Sequence, residues 1–186
     1  MKRISPRLEE GVFSILRKLE AQLNKDVSIQ VFVAGGIAVN YHCGERSTRD
    51  VDLFFSHRIL PDWKCLVASL EDNQVLYADP NYNPTFGLLH PDSKESAVPW
   101  EGFSSGSIDL FLLSPLDVAV SKLARLSDVD RSDILALSTH FTARELTARV
   151  EEALHDYVGG TQWIKDDLDT ICSALHLKER ERGPKF

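Results

Sequence analysis

The sequence predicts an α/β (α+β) fold whose C-terminal part is all helix. Three β-rich runs, residues 29–34 (IQVFVA), 51–55 (VDLFF) and 107–113 (SIDLFLL), are separated by stretches of helical periodicity. Beyond residue 113 the apolar spacing is helical throughout, and two of the starts carry helix-capping chemistry.

Taken in order, Ser5-Pro6 is a helix start, with Ser as cap and proline at the first helical position. Leu8, Val12, Ile15, Leu16, Leu19 and Leu23 then recur at helical spacing. The run 29–34 is a buried strand that ends at Gly35-Gly36, and residues 37–41 begin a short helix. Residues 44–49 are a loop, and 51–55 are the second strand. Residues 62–70 show Trp63, Leu66, Val67 and Leu70 on one helical side. Residues 74–78 and 85–89 suit short strands, and Pro80, Pro84, Pro91 and Pro99 mark irregular loops between and after them. The third strand is 107–113. Helices follow from Ser114-Pro115 (Leu116, Ala119, Val120, Leu123), over 131–140, from the capping box Thr142–Glu145 to Gly159-Gly160, and over 162–175. Residues 1–113 form the α/β core, 114–178 a helical part packed on it, and 179–186 a frayed tail.

A chain of 186 residues, 43% hydrophobic and 26% charged, is long enough for a buried core. With 21 basic and 28 acidic side chains its net charge is -7, so any nucleic-acid contact requires a local basic patch. Cys43, Cys65 and Cys172 fit neither a metal-ligand spacing nor an even disulfide set, which suits reduced thiols in a cytoplasmic protein. Neither a signal peptide nor a membrane span is legible.

The chemistry concentrates in residues 33–55. Gly35 and Gly36 let backbone approach a phosphate closely. Asp50 and Asp52, two apart on a strand, share one face and suit a hard divalent cation such as Mg²⁺. Asp109 sits within an apolar strand, where a charge is costly unless paired or bound to metal. If its strand lies beside 50–55, Asp109 joins Asp50 and Asp52. Three carboxylates hold one or two Mg²⁺ ions for phosphoryl or nucleotidyl transfer, with Asp109 doubling as general base. Arg46 and Arg49 flank the carboxylates. Lys122 and Arg125, three apart on a helix, suit a triphosphate lying between them.

Gly35-Gly36 followed by Arg46-Ser47-Thr48-Arg49-Asp50-Val51-Asp52 resembles the first motif of the DNA-polymerase-β-like nucleotidyltransferase superfamily. Within it the stretch is similar to AbiEii-type toxin nucleotidyltransferases and related uncharacterised bacterial proteins. The second element is Leu116-Asp117 through Lys122-Leu123-Ala124-Arg125, then Asp130-Arg131-Ser132-Asp133. The resemblance implies a mixed sheet flanked by helices. It implies Asp50 and Asp52 as metal ligands and Lys122 as a phosphate contact. Arg46 and Thr48 fall in the nucleotide motif, and Asp133 supports Lys122 or Arg125 by a salt bridge. It further implies an NTP (such as ATP) as substrate, an RNA, tRNA, protein or small-molecule acceptor, and a place in a toxin–antitoxin or phage-defence pair with an antitoxin partner. Two other readings suit the same residues: a catalytically inactive binding protein of this fold, and a metal-dependent nuclease.

Overall fold

The computed structural model describes residues 4–24, 26–44, 47–70, 74–84 and 87–182, with 179–182 as backbone only. The chain divides into two compact units, Met1–Asn83 with Lys94–Ser114 and Pro84–Ser93 with Pro115–Phe186.

In the first unit α1 (Pro6–Glu20) begins as its cap chemistry dictates, with the Ser5 hydroxyl accepting from the Leu8 N–H at 3.3 Å. Its Leu8, Val12, Ile15, Leu16 and Leu19 are buried. Gly11 permits close approach, since a Cβ there would lie 2.7 Å from both Leu70 and Leu76. β1 (Ile29–Val33) leads into α2 (Gly35–Cys43). A mixed four-stranded sheet has the order β3-β1-β7-β6, with β1 parallel to β7 (Ile108–Leu112) and antiparallel to β3 (Leu53–Phe55). β6 (Val98–Pro99) is its edge, where a proline removes no ladder bond that the sheet needs. Phe54, Phe32 and Phe111 form an aromatic ladder across it, with centroids 5.0 and 5.4 Å apart. Burying a side chain such as Phe32 contributes about 1.5–3 kcal/mol.

Three expectations change. The expected strand over 51–55 is two strands. β2 (Asp50–Val51) belongs to a three-stranded sheet of order β2-β5-β4, and β3 belongs to the four-stranded one, with Asp52 at the crossing. The expected helix over 62–70 is a 3₁₀ turn, Trp63–Cys65, followed by β4 (Val67–Ser69), antiparallel to β5 (Val75–Ala78). Here Leu66 and Ala68 are buried while Ser69 is exposed, a period of two that pairing with β5 selects over the helical period. Of the expected strand over 85–89, residues 85 and 86 lie outside the described residues and 87–89 are in no strand.

The second unit holds α3 (Pro115–Leu123), α4 (Asp128–Leu137), α5 (Ala143–Leu154) and α6 (Gln162–Arg182). α4 begins earlier than its apolar spacing suggested because Ser127 and Asp130 form a reciprocal capping box. Thr142 and Glu145 do the same for α5. α5 ends at Leu154, ahead of the glycine pair, and α6 runs beyond residue 175. His90 donates from Nε2 to Glu152 at 2.7 Å and accepts the Asp92 N–H on Nδ1, which fastens Pro84–Ser93 to α5. Among the described residues no helix is long and apolar enough to cross a membrane. All three cysteines are free.

Candidate functional site

Gly35 opens α2 with φ at +56°, a backbone region that L side chains rarely adopt. A Cβ at Gly35 would lie 1.6 Å from Asp52 Oδ2 and 2.7 Å from its Cγ. The Asp52 carboxylate is thus seated against the bare α-carbon at the helix N-terminus, where Ala34 offers no side-chain cap. Its backbone is fixed too, because the Ala34 N–H donates to the Asp52 carbonyl at 2.9 Å. The partial positive charge of a helix N-terminus suits a carboxylate there. Gly36 is buried in the first turn.

Asp50 is exposed at the start of β2, Val51 is buried and Asp52 is half-buried at the crossing between the two sheets. Thr48 donates from its hydroxyl to the Asp50 carbonyl at 3.3 Å and so shapes the entry to β2. Arg49 is exposed, and its carbonyl accepts the Tyr77 N–H at 3.0 Å. Arg46 lies outside the described residues.

Sequence reasoning passed over three neighbours. β2 pairs in parallel with β5, so Asp50 stands opposite Tyr77. Hydrogen bonding towards the Asp50 carboxylate raises the Tyr77 pKa, as do the Asp50 charge, slight burial and the Asp79 charge, while Arg49 opposes them. Asp79 follows directly, and its N–H donates to the Val51 carbonyl at 3.0 Å, which brings it alongside Asp52. Its carboxylate accepts the Asn81 N–H at 2.8 Å. Tyr82 packs against Phe54 with centroids 6.3 Å apart, and burial, aided by the Asp52 charge, keeps its phenol protonated. The alternation of Tyr77 and Asp79 in VLYAD was the available signal, but nothing local ties it to Asp50.

Asp109 does not join Asp50 and Asp52. Its strand is not adjacent to β3, because β1 lies between them. Asp109 pairs with Gln30, whereas Leu53 pairs with Val33, so Asp52 is level with Ala34, four residues further along β1. At strand rise that offset is about 13 Å, before the intervening strand is counted. The exposed Asp109 carboxylate meets solvent, which answers the expected cost of a charge in this strand. Among the described residues no group of three or more His, Cys, Asp or Glu side chains is arranged to hold a metal ion.

The remaining expected residues lie in the second unit. Lys122 is buried, with Nζ 2.7 Å from Asp133 and 3.1 Å from Asp130. Arg125 grips Asp130 bidentately, with both N–H···O distances 2.8 Å. The Ser127 hydroxyl donates to the same carboxylate at 2.7 Å. Burial pushes the Asp130 pKa up, but Arg125, Ser127 and Lys122 together outweigh it and hold the carboxyl well below the usual range. Asp133 pairs with Lys122, and Arg125 pairs with Asp130, which the sequence did not single out. Asp117 is taken by Arg149 at 2.8 Å.

Asp52 seated on the glycine helix start, with Asp50 two residues before it, is what remains of the expected triad. No curated protein matches the chain. A family described as "Nucleotidyltransferase of unknown function (DUF6036)" matches over residues 10–170, most of both units. The chain therefore belongs to the DUF6036 family of nucleotidyltransferases of unknown function.

Proposed function

We propose that this chain is a Mg²⁺-dependent nucleotidyltransferase that moves NMP from an NTP such as ATP to a hydroxyl acceptor. The observation that carries this is the Asp52 carboxylate seated on Gly35 at the start of α2, with exposed Asp50 two residues before it. Both are hard oxygen donors. Mg²⁺ is usually held by one or two carboxylates together with substrate phosphates and waters, so these two side chains fit it without a third. When bound, Mg²⁺ neutralises triphosphate charge and acidifies an attacking hydroxyl. Asp50 and Asp52 are the residues to hold it, and Gly35 and Gly36 leave backbone room for phosphate. Exposed Arg49 and half-buried Thr48 lie just before the carboxylates. Buried Lys122 and Asp133 and exposed Arg125 enter as an ion network on buried Asp130 that ties α3 to α4.

In the transfer, the acceptor oxygen bonds the α-phosphorus, the bond to pyrophosphate breaks, and the hydroxyl proton leaves to a base. RNA, tRNA, protein and small molecules are the candidate acceptors. The resemblance to AbiEii-type toxins supports a role in a toxin–antitoxin or phage-defence pair, with an antitoxin as partner. The net charge of -7 favours acceptors met through a local patch over general nucleic-acid binding.

The experiment incubates protein and Mg²⁺ with each labelled NTP, total RNA and lysate protein. Label transfer is expected, lost in Asp50→Ala and Asp52→Ala and kept in Asp109→Asn. No transfer and no nucleotide binding by calorimetry would refute the proposal. A second reading, nucleotide binding without turnover, is favoured by Tyr77 standing opposite Asp50 on the β2–β5 ladder. NTP binding with no transfer to any acceptor would select it.

A further inference from the structure

We propose that the outer face of the β2-β5-β4 sheet is the acceptor platform, a nucleobase of an RNA acceptor stacking on the Tyr77 ring one strand away from Asp50. The inference rests on the proposed transferase reading and names its acceptor class. Side chains alternate cleanly in this sheet. Val51, Ala68, Leu76 and Ala78 are buried, and α1 packs against Leu76 at Gly11. Asp50, Val75 and Tyr77 take the other face, with Val67 and Ser69 of β4. On that face Val75 is 42% exposed and Tyr77 40%. Asp50 pairs with Tyr77, and Tyr77 pairs with Val67, so the three stand in one row across the strands. Neighbouring strands lie about 4.8 Å apart, which sets Tyr77 that far from the proposed Mg²⁺ ligand and Val67 about 10 Å from it. β2 is the edge of the sheet, so the row runs from Asp50 in one direction only. The proposed phosphate position is at Gly35-Gly36, beside Asp52, and in-line transfer sets the attacking oxygen opposite the leaving pyrophosphate. The acceptor then approaches over Asp50 and the row that continues from it. A tyrosine ring exposed beside a valine suits a flat ring, and every nucleobase offers a π-face. Charge favours nucleic acid over protein here. Lys18 Nζ donates to the Val67 carbonyl at 2.6 Å at one end of the row, and exposed Arg49 precedes Asp50 at the other. Two cations at the ends of the row supply the local patch that an acidic chain needs to meet phosphodiesters.

The test titrates a fluorescein-labelled single-stranded oligoribonucleotide with the full chain in Mg²⁺ and reads anisotropy. Tyr77→Ala is expected to weaken binding about 10- to 100-fold, the range of one lost base stack. Tyr77→Phe keeps the ring and is expected to bind as wild type does. Both changes fall on the exposed face, so both variants should keep the wild-type melting midpoint. In the label-transfer assay Tyr77→Ala should raise the acceptor KM and leave the NTP KM unchanged, a split that a merely structural residue would not produce. Equal losses in Tyr77→Phe and Tyr77→Ala would overturn the inference, since the hydroxyl and not the ring would then act. A rise in the NTP KM alone would overturn it by assigning the ring to the NTP base. Wild type that binds no RNA but labels lysate protein would overturn it and leave the proposed transferase standing. Wild type that binds neither RNA nor any NTP would overturn the inference and the transferase together.

Discussion

Gly35 is a position where a single added methyl group is costly twice over. Its φ of +56° penalises any L side chain by about 1–2 kcal/mol. The added Cβ would also overlap the Asp52 carboxylate at 1.6 Å, so that carboxylate must leave its seat. Gly35→Ala should therefore lower the urea midpoint by at least that backbone cost and abolish Mn²⁺ binding. Gly106→Ala is the control, since a Cβ there meets nothing within 4 Å and should leave both measurements within error. The glycine pair was legible because a turn from strand to helix demands it locally. Other residues were not legible. His42 looks like a surface histidine in sequence, yet it is buried, with Nε2 donating to the Leu113 carbonyl at 2.9 Å. Trp100, by contrast, suits a core or lid position in sequence, and the core reading holds. It is 3% exposed and donates to Glu9 at 2.8 Å between the rings of Phe13 and Tyr41.

At the scale of elements, caps were readable and strand partners were not. Ser5 and Thr142 act where their spacing placed them, because a cap reaches only its own first turn. The α3–α4 junction combines such a cap with a buried ion network on Asp130. Asp130 has a lower pKa folded than unfolded, so its ionised form stabilises the fold above the unfolded value of about 3.9. That contribution shrinks as pH falls below about 4 towards the folded value, because the unfolded state then binds more protons. Urea unfolding at pH 7, 5, 4 and 3 should show wild-type stability falling over the last steps. Asp130→Asn should be less stable at pH 7 by about 1–3 kcal/mol and show a shallower acid fall. An equally steep fall in the variant would assign the acid limb to other carboxylates. Asp109 makes the opposite point. Its alternation within β7 was read correctly, but the place of β7 in the sheet depends on pairing with β1.

For the whole molecule, ligand linkage is the most direct readout. Mg²⁺ with an NTP at about 100 times its dissociation constant should add about 2.7 kcal/mol to the unfolding free energy. A rise in melting midpoint with wild type and none with Asp52→Ala is the expected outcome. A midpoint unmoved by every NTP would count against a nucleotide site. The sequence by itself determined the glycine start of α2, the capped helices and the α/β-then-helical order. Each depends on residues a few positions apart, and local periodicity encodes them. Only the tertiary structure decided the split of residues 50–55 between two sheets and the attachment of Pro84–Ser93 to the helical unit through His90 and Glu152. It also decided that Tyr77, and not Asp109, stands beside Asp50. A period of two names the face of a strand but not its neighbour, which is chosen by long-range backbone hydrogen bonding and burial.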